Sequence, residues 1–258
     1  MRSFLAGLVL LATTTGALAQ APAPANVRLP PPDAMPADRP HVAMAGEHDS
    51  APVYSFVRVN NLDFGTARNG PQFGWDVDAR IGTDDYRLRL KSEGEGLRAR
   101  TKSAEVQVLF DTPISDFFNF QAGWRRVLLP ANRNFFAIGI EGLAQYFFDT
   151  EATIFVSERG DASLHLKGGI DIPIAERIFS KPSVELNAYG GDDRVLGTYA
   201  GFGSVKFALQ TRYEITRQFA PYFELGWERL LGRTAGMARS ARDPVENAYA
   251  VVGIRMWY

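Results

Sequence analysis

Residues 53–258 alternate between apolar and polar side chains with a period of two, and this pattern constrains the fold more than any other feature of the chain. Val205, Phe207 and Leu209 alternate with Lys206 and Gln210, for example. A period of two places successive side chains on opposite faces of a β-strand. The pattern predicts about twelve strands, whose ends are uncertain by about two to four residues. They are placed near 53–62, 73–81, 86–93, 104–111, 117–126, 135–143, 149–157, 162–172, 181–190, 204–215, 219–229 and 247–258.

Alternation alone fits a soluble barrel or sandwich as well as a transmembrane barrel. Three further features favour the membrane. First, short gaps between the predicted strands alternate with longer ones, as periplasmic turns and outer loops do in outer-membrane barrels. Second, the polar faces of residues 53–258 carry 25 basic and 25 acidic residues, which a water-facing lumen can hold as ion pairs. Third, aromatic residues collect at strand ends, as in two interfacial girdles. The short gaps are 82–85, 112–116, 144–148, 173–178 and 216–218, and the longer ones 63–72, 94–103, 127–134, 191–203 and 230–246, with 158–161 as the exception. The strand-end aromatics are Phe117, Phe118, Phe135, Phe136, Tyr146, Phe147, Phe148, Phe219, Tyr222, Trp257 and Tyr258.

The expected fold is therefore all-β: a transmembrane, antiparallel, up-and-down β-barrel of about 12 strands behind a disordered N-terminal tail. No segment shows the period of 3.6 that predicts a helix. An even number of strands puts both ends of the barrel on the periplasmic side, and the predicted location is the bacterial outer membrane.

The first 52 residues differ in composition from the rest. Residues 1–19 combine the basic Arg2 with an apolar stretch at 4–12 and an Ala-Leu-Ala site at 17–19, which predicts a secretory signal peptide. An uncleaved anchor is the alternative. Residues 20–52 hold eight of the 15 prolines and almost no aromatic residues, so we expect a disordered, Pro-rich periplasmic tail. Residues 53–258 would form the barrel.

Few residues can carry chemistry. The chain has no Cys, which excludes thiolate metal sites, thiol nucleophiles and disulfides. The formal net charge of −1 argues against nucleic acid as a partner. Ser163 and His165 share a strand face and could suggest a hydrolase, but no third group is present to orient them. We therefore expect no enzyme.

Metal binding has a better basis. Met35, His41, Met44 and His48 fall within fourteen residues of the tail, where they have no packing role. Thioethers suit Cu(I) and imidazole suits Cu(II), so this group predicts a copper site, with coincidence in a polar linker as the alternative. Two further candidate ligands lie in the barrel region. His165 is expected in the lumen, where it could equally be a polar member of a charge network. Met237 is expected in the long outer loop, where it could equally pack.

Many charged residues fall on the predicted inward faces. They could line a path for a cation, or they could simply satisfy one another. Their equal signs favour the structural role and argue against strong selectivity. They are Arg80, Arg87, Arg89, Lys91, Glu93, Glu105, Arg125, Glu141, Glu151, Lys167, Glu185, Lys206, Arg212, Glu214, Glu224, Glu228 and Arg255.

Several runs, in order and spacing, resemble the copper resistance protein B family of bacterial outer membranes, and together they span nearly all of residues 56–258. They are the runs at 90–95, 104–107, 157–160, 189–190 with 192–193, 212–215 with 219–222, 227–229, 232–235 and 252–258. The resemblance implies an outer-membrane barrel, in contact with membrane lipid, that binds copper ions. It also implies a periplasmic partner, typically a multicopper oxidase. The family's tail is often rich in Met and His, whereas this tail is sparse.

The resulting functional prediction is a copper-binding outer-membrane protein that contributes to copper resistance and homeostasis by sequestering copper or moving it across the outer membrane. The alternative is a small general porin or outer-membrane scaffold without a metal role.

Overall fold

The computed structural model describes residues 52–68, 70–98 and 100–258. Within these residues, thirteen strands, one α-helix and one 3₁₀ turn at Gln145–Phe147 are formed. The strands are β1 (Tyr54–Ala67), β2 (Gly70–Gly82), β3 (Arg87–Leu97), β4 (Arg100–Pro113), β5 (Phe118–Leu129), β6 (Arg133–Ala144), β7 (Phe148–Ser157), β8 (Ala162–Ile170), β9 (Ile172–Ala175), β10 (Ile178–Tyr189), β11 (Gly201–Tyr213), β12 (Phe219–Leu230) and β13 (Glu246–Trp257). The helix α1 (Gly232–Ser240) lies between β12 and β13.

The strands form one closed antiparallel barrel. Each strand pairs with its neighbour in sequence, and β1 closes the ring by pairing with β13, with Phe64 opposite Val252. The short β9 and the strand β8 both pair with β10, so they act as one strand interrupted at Asp171. The barrel therefore has twelve strand positions, as the alternation predicted. Closure leaves no unpaired sheet edge, which is what a barrel in lipid requires.

The apolar side chains of the strands face outward. Leu209 is 45% exposed although it lies in the middle of β11, and most strands present the same kind of residue. A broad apolar outer surface around a charged interior is typical of a barrel whose solvent is lipid. The outward set includes Leu62, Phe64, Leu88, Leu90, Phe110, Trp124, Phe136, Ile138, Ile140, Ile154, Val156, Val184, Phe207, Phe223, Leu225 and Val252. Among the described residues, no helix has both the length and the apolar character needed to cross a bilayer.

The two ends of the barrel differ. We call the end with residues 54 and 258 the turn end, because its connections are short, and the opposite end the loop end. The connections 190–200 and 231–245 at the loop end are long, as predicted. The long gaps predicted at 63–72, 94–103 and 127–134 are wrong, since β1 to β6 continue through most of them. Strands that extend beyond the lipid keep their hydrogen bonds but no longer need apolar outward residues, so the alternation fades before the strand ends.

Three other sequence expectations need correction. Phe135 and Tyr222 were placed in the aromatic girdles, but both are buried inside the barrel, because each lies on the inward face of its own strand. Other strand-end aromatics, such as Phe117 and Tyr146, are exposed as expected. The absence of a helical period also failed to predict α1. This helix has nine residues with only Thr234 and Ala235 buried, so its contacts with β11, rather than an apolar stripe, determine it.

A network of ion pairs occupies the inner face of β1 to β7. Arg89 is nearly fully buried and donates to both Asp78 and Glu141, and its Nε lies 2.9 Å from an Asp78 carboxylate oxygen. Lys91 lies 3.1 Å from Glu151 and 3.6 Å from Glu141. These contacts cross several strands, since Arg89 and Lys91 belong to β3 whereas Glu141 and Glu151 belong to β6 and β7. The network therefore braces one side of the lumen from within.

The face assignment can be tested at two neighbouring residues. Leu209→Arg places a charge in lipid and should lower the free energy of unfolding by about 2–4 kcal/mol. Gln210→Arg should cost much less, because Gln210 faces inward and donates to Glu224 over 3.1 Å. Denaturant unfolding of the two variants in lipid vesicles measures both. Equal or reversed effects would show that the faces are misassigned.

The buried network predicts a second contrast. Arg89→Met should lower the free energy of unfolding by about 3–5 kcal/mol, because the buried Asp78 loses its closest cation and Glu141 loses one of its ion pairs. Arg229→Met is the matched control. Arg229 is 45% exposed and lies 3.7 Å from Glu246, so its loss should cost about 0–1 kcal/mol. A small effect of Arg89→Met would mean that the network does not stabilise the barrel.

Candidate functional site

The loop-end half of the lumen contains an acidic cavity of about 260 Å³. We call it the outer chamber. Eight carboxylates and two lysine ammonium groups line it, so its formal charge excess is strongly negative. The acidic residues are Asp63, Asp76, Glu93, Glu95, Glu105, Glu185, Glu224 and Glu228, and the lysines are Lys167 and Lys206.

A second cavity, of about 540 Å³, continues from the outer chamber toward the turn end. We call it the inner cavity. Eight acidic and eight basic side chains line it, so its charges balance. Asp76, Glu93, Lys167, Glu185 and Lys206 are among the residues that line both spaces. Carboxylates outnumber basic groups in the outer chamber but not in the inner cavity. The expectation that equal signs argue against strong selectivity was made for the lumen as a whole and stays a prediction.

Neighbouring polar groups hold several chamber carboxylates in place. The Tyr222 hydroxyl donates to Asp63 over 2.9 Å, and the Tyr249 hydroxyl donates to Glu224 over 3.0 Å. Arg125 pairs with Glu105. These groups fix the orientation of the carboxylates without filling the cavity, and the tyrosines bring no charge of their own. The chamber therefore keeps its negative field.

Next to the outer chamber, an arginine on β5 stacks on aromatic rings from β6 and β7. The Arg125 guanidinium lies 4.2 Å from the ring centroid of Phe155 and 5.4 Å from that of Phe135. Both distances allow cation–π attraction. Below these rings lie Leu109, Val127 and Ala137, which complete a buried apolar cluster on the inner wall. Such a cluster is unusual in a charged lumen and gives one side of the barrel a packed surface.

The six predicted metal ligands fall into two groups. Met35, His41, Met44 and His48 lie outside the described residues. His165 lies on the inward face of β8, where its Nδ1 is 2.9 Å from Asn187 Oδ1 and 3.7 Å from Glu185 Oε1. His165 therefore lies among the polar side chains of the lumen, and its role as a metal ligand stays a prediction. Met237 lies on α1 with its side chain 45% exposed.

The described part of the barrel does not contain a preformed coordination shell. No group of three or more His, Cys, Asp or Glu side chains within the residues 52–68, 70–98 and 100–258 is arranged to hold a metal ion. His165 interacts with the carboxylates of Glu185 and Glu151, and the chamber carboxylates are spread around a wall. The arrangement can attract a cation and let it exchange between oxygen ligands, whereas a tight, multidentate copper site does not fit these residues.

Sequence reasoning identified most charged residues of the outer chamber but not the chamber itself. Glu93, Glu105, Glu185, Glu224 and Glu228 were placed on inward faces, but nothing indicated that they would meet at one level. Asp63, Asp76 and Glu95 were not singled out. The spacing of two residues between Glu93 and Glu95 on β3 gives those two a common face. The register between strands, which sets the level of Asp63, Asp76 and Glu95 along the barrel, is not visible in one sequence.

The chain resembles known proteins over most of its length. A family model described as copper resistance protein B precursor matches residues 53–258. A copper resistance protein B homolog from Pseudomonas syringae pv. tomato is 37% identical over 245 residues, covering 93% of this chain and 83% of that protein. Copper resistance protein B from Escherichia coli is 37% identical over 212 residues, covering 82% of this chain and 71% of that protein.

Among solved structures, the NanC porin superposes with a TM-score of 0.53 at 12% identity, over 78% of this chain and 98% of that one. This likeness supports the fold alone. A closed barrel with an apolar outer surface and a charged lumen is an outer-membrane protein, whose longer connections face outside the cell. The sequence matches over the whole barrel add the family: the chain belongs to the copper resistance protein B family.

Proposed function

We propose that this protein contributes to copper resistance by attracting copper ions into the outer chamber and passing or holding them at the outer membrane. Family membership supports the role in copper resistance. The observation that carries the finer proposal is the charge of the outer chamber, with eight carboxylates against two lysines. In a narrow lumen with low-dielectric walls such an excess concentrates cations and repels anions.

The chamber attracts a cation without choosing copper. Carboxylates are hard oxygen ligands, whereas copper in either oxidation state is distinguished by imidazole and thioether ligands. On this proposal the copper-specific ligands are Met35, His41, Met44 and His48, with His165 and Met237 as candidates in the barrel region. Four such ligands can complete one coordination shell, but closing the shell would order about fourteen residues at about 1–2 kcal/mol each, so the tail would bind at most one copper ion, weakly.

The family and the porin-like barrel suggest a non-enzymatic role. We propose no catalytic residues. A periplasmic multicopper oxidase is the proposed partner, since the family resemblance implies it. A small general porin or scaffold without a metal role is the competing function. Binding of copper to the purified protein, or its effect on conductance, distinguishes the two.

The chamber's selectivity can be measured with the full-length protein in planar bilayers. A salt gradient should give a reversal potential that favours cations, and Glu95→Gln with Glu185→Gln should shift it toward zero, because two charges of the chamber are lost. Asp84→Asn with Asp85→Asn is the control, since it removes the same charge from an exposed connection at the turn end. Equal permeability for anions and cations in the unmodified protein would contradict the proposal.

The tail ligands make a separate prediction about pH. Metal analysis of the full-length protein should find bound copper, and Ala at 35, 41, 44 and 48 should remove the tail-bound ion while the barrel still folds. Binding should weaken as the pH falls through about 6.5, because protonated imidazoles cannot coordinate. Thioethers do not titrate, so residual Cu(I) affinity at low pH would indicate Met35 and Met44. Unchanged copper content in the Ala variant would show that the tail is only a linker.

A further inference from the structure

The connection between β10 and β11, residues 190–200, folds over the mouth of the lumen. We call it the mouth loop. Its Leu196 packs against the buried apolar cluster that includes Leu109, Phe135 and Phe155. These residues lie on the inward faces of β4, β6 and β7, and β7 and β8 separate β10 from β6. A residue that leaves the barrel after β10 can meet that cluster only by turning inward across the opening.

Asp193 ties the mouth loop to the start of β6, three strand positions away from β10. One of its carboxylate oxygens accepts the backbone N–H groups of Val195 and Leu196, over 2.9 and 3.2 Å, and so orders the turn that presents Leu196. The other lies 3.0 Å from Arg133 at the start of β6 and 3.9 Å from Arg159. Partial burial raises the pKa of Asp193, but the hydrogen bonds from Arg133 and the backbone outweigh it and hold that pKa below its usual range. The carboxylate is thus charged at neutral pH.

The other side of the loop is held by α1. Arg233 forms a two-bond contact with Asp192, over 3.1 and 2.8 Å, and Asp192 also accepts the backbone N–H of Ala200. The backbone N–H of Tyr199 donates to Thr234 over 3.3 Å. Since α1 itself packs on β11, the loop is anchored near its base as well as at its tip.

Two glycines, one within the mouth loop and one at the start of β11, allow the chain to turn. Gly197 has φ of +71° and Gly201 has φ of +109°, conformations that L side chains rarely adopt, and no atom lies within 4 Å of where a Cβ would stand at either residue. The glycines are needed for the turn of the chain and not for close packing. The inward position of the loop therefore depends on the Leu196 contact and the Asp192 and Asp193 ion pairs, which can be broken without disturbing the strands.

We propose that the mouth loop is the constriction that determines which solutes enter the lumen, and that Asp193 and Leu196 latch it closed. The inference deepens the proposed function, because it takes the lumen to be a path. It makes the loop, and not the barrel diameter, the element that limits the size of the entering ion or complex.

Conductance tests the constriction with potassium chloride alone. The full-length protein in planar bilayers should show small conductance, and Asp193→Ala with Leu196→Ser should raise it several-fold and admit larger uncharged sugars into proteoliposomes. Val195→Ser is the matched control, since Val195 is the neighbour of Leu196 but is 56% exposed. Heat-modified migration on gels confirms that each variant has folded.

Thiol labelling gives a second measurement in the same chain, which has no cysteine of its own. A membrane-impermeant maleimide should react with Val195→Cys quickly and with Leu196→Cys slowly. Adding Asp193→Ala to Leu196→Cys should accelerate labelling about tenfold, which corresponds to a loss of about 1.4 kcal/mol from the closed loop.

The outcomes separate this inference from the copper proposal. Neither measurement contains copper, so both can succeed even if copper is not the cargo. Unchanged conductance after Asp193→Ala with Leu196→Ser, or an equal increase with Val195→Ser, would overturn the constriction. Equal labelling rates at 195 and 196 would overturn the inward position of Leu196.

Discussion

The pairing of β1 with β13 is the constraint on which the rest of the structure depends. Lipid offers no hydrogen-bonding partners, so a sheet in the membrane must satisfy its backbone by closing on itself. Once it closes, each strand has one face in lipid and one in the lumen. Whether a strand residue meets lipid or the lumen then depends on whether its position along the strand is odd or even. Leu209 and Gln210 are adjacent in sequence, yet one meets lipid and the other hydrogen-bonds to Glu224.

Closure also forces charge into a confined space. A buried cation without a partner is costly, so an inward arginine such as Arg89 needs carboxylates on other strands, here Asp78 and Glu141. The balanced inner cavity meets this requirement. The outer chamber departs from it, with a carboxylate excess that Lys167, Lys206 and Arg125 only partly offset. Most charges in this lumen are paired, so the unpaired excess in the outer chamber is the feature that most strongly indicates a function.

The alternation in the sequence predicted which side chains face inward. It did not predict which inward side chains meet at the same level, because that depends on the register between strands. The period of two identified twelve strand positions and the inward charges, because it is a local property. The level at which Asp63 on β1 meets Glu95 on β3 depends on how the strands are staggered, which no local pattern encodes. The inward positions of Phe135 and Tyr222 were missed because strand-end aromatics were assigned to lipid by their place along the strand instead of by parity. The helix α1 depends on contacts with β11, and the sequence of its nine residues alone does not reveal those contacts.

Soft copper ligands and hard oxygen ligands lie in different parts of the chain, which suggests that the proposed recognition and attraction of copper are carried by different parts. Residues 53–258 contain one histidine, His165, and two methionines, Met237 and Met256. Against these stand the oxygen ligands of the outer chamber, which on the proposed function would bind cations weakly and exchange them quickly. An attracting chamber with weak ligands suits passage, since an ion held too firmly would not leave. Discrimination in favour of copper then requires softer ligands elsewhere, and the concentration of Met35, His41, Met44 and His48 outside the barrel fits this separation of attraction from recognition.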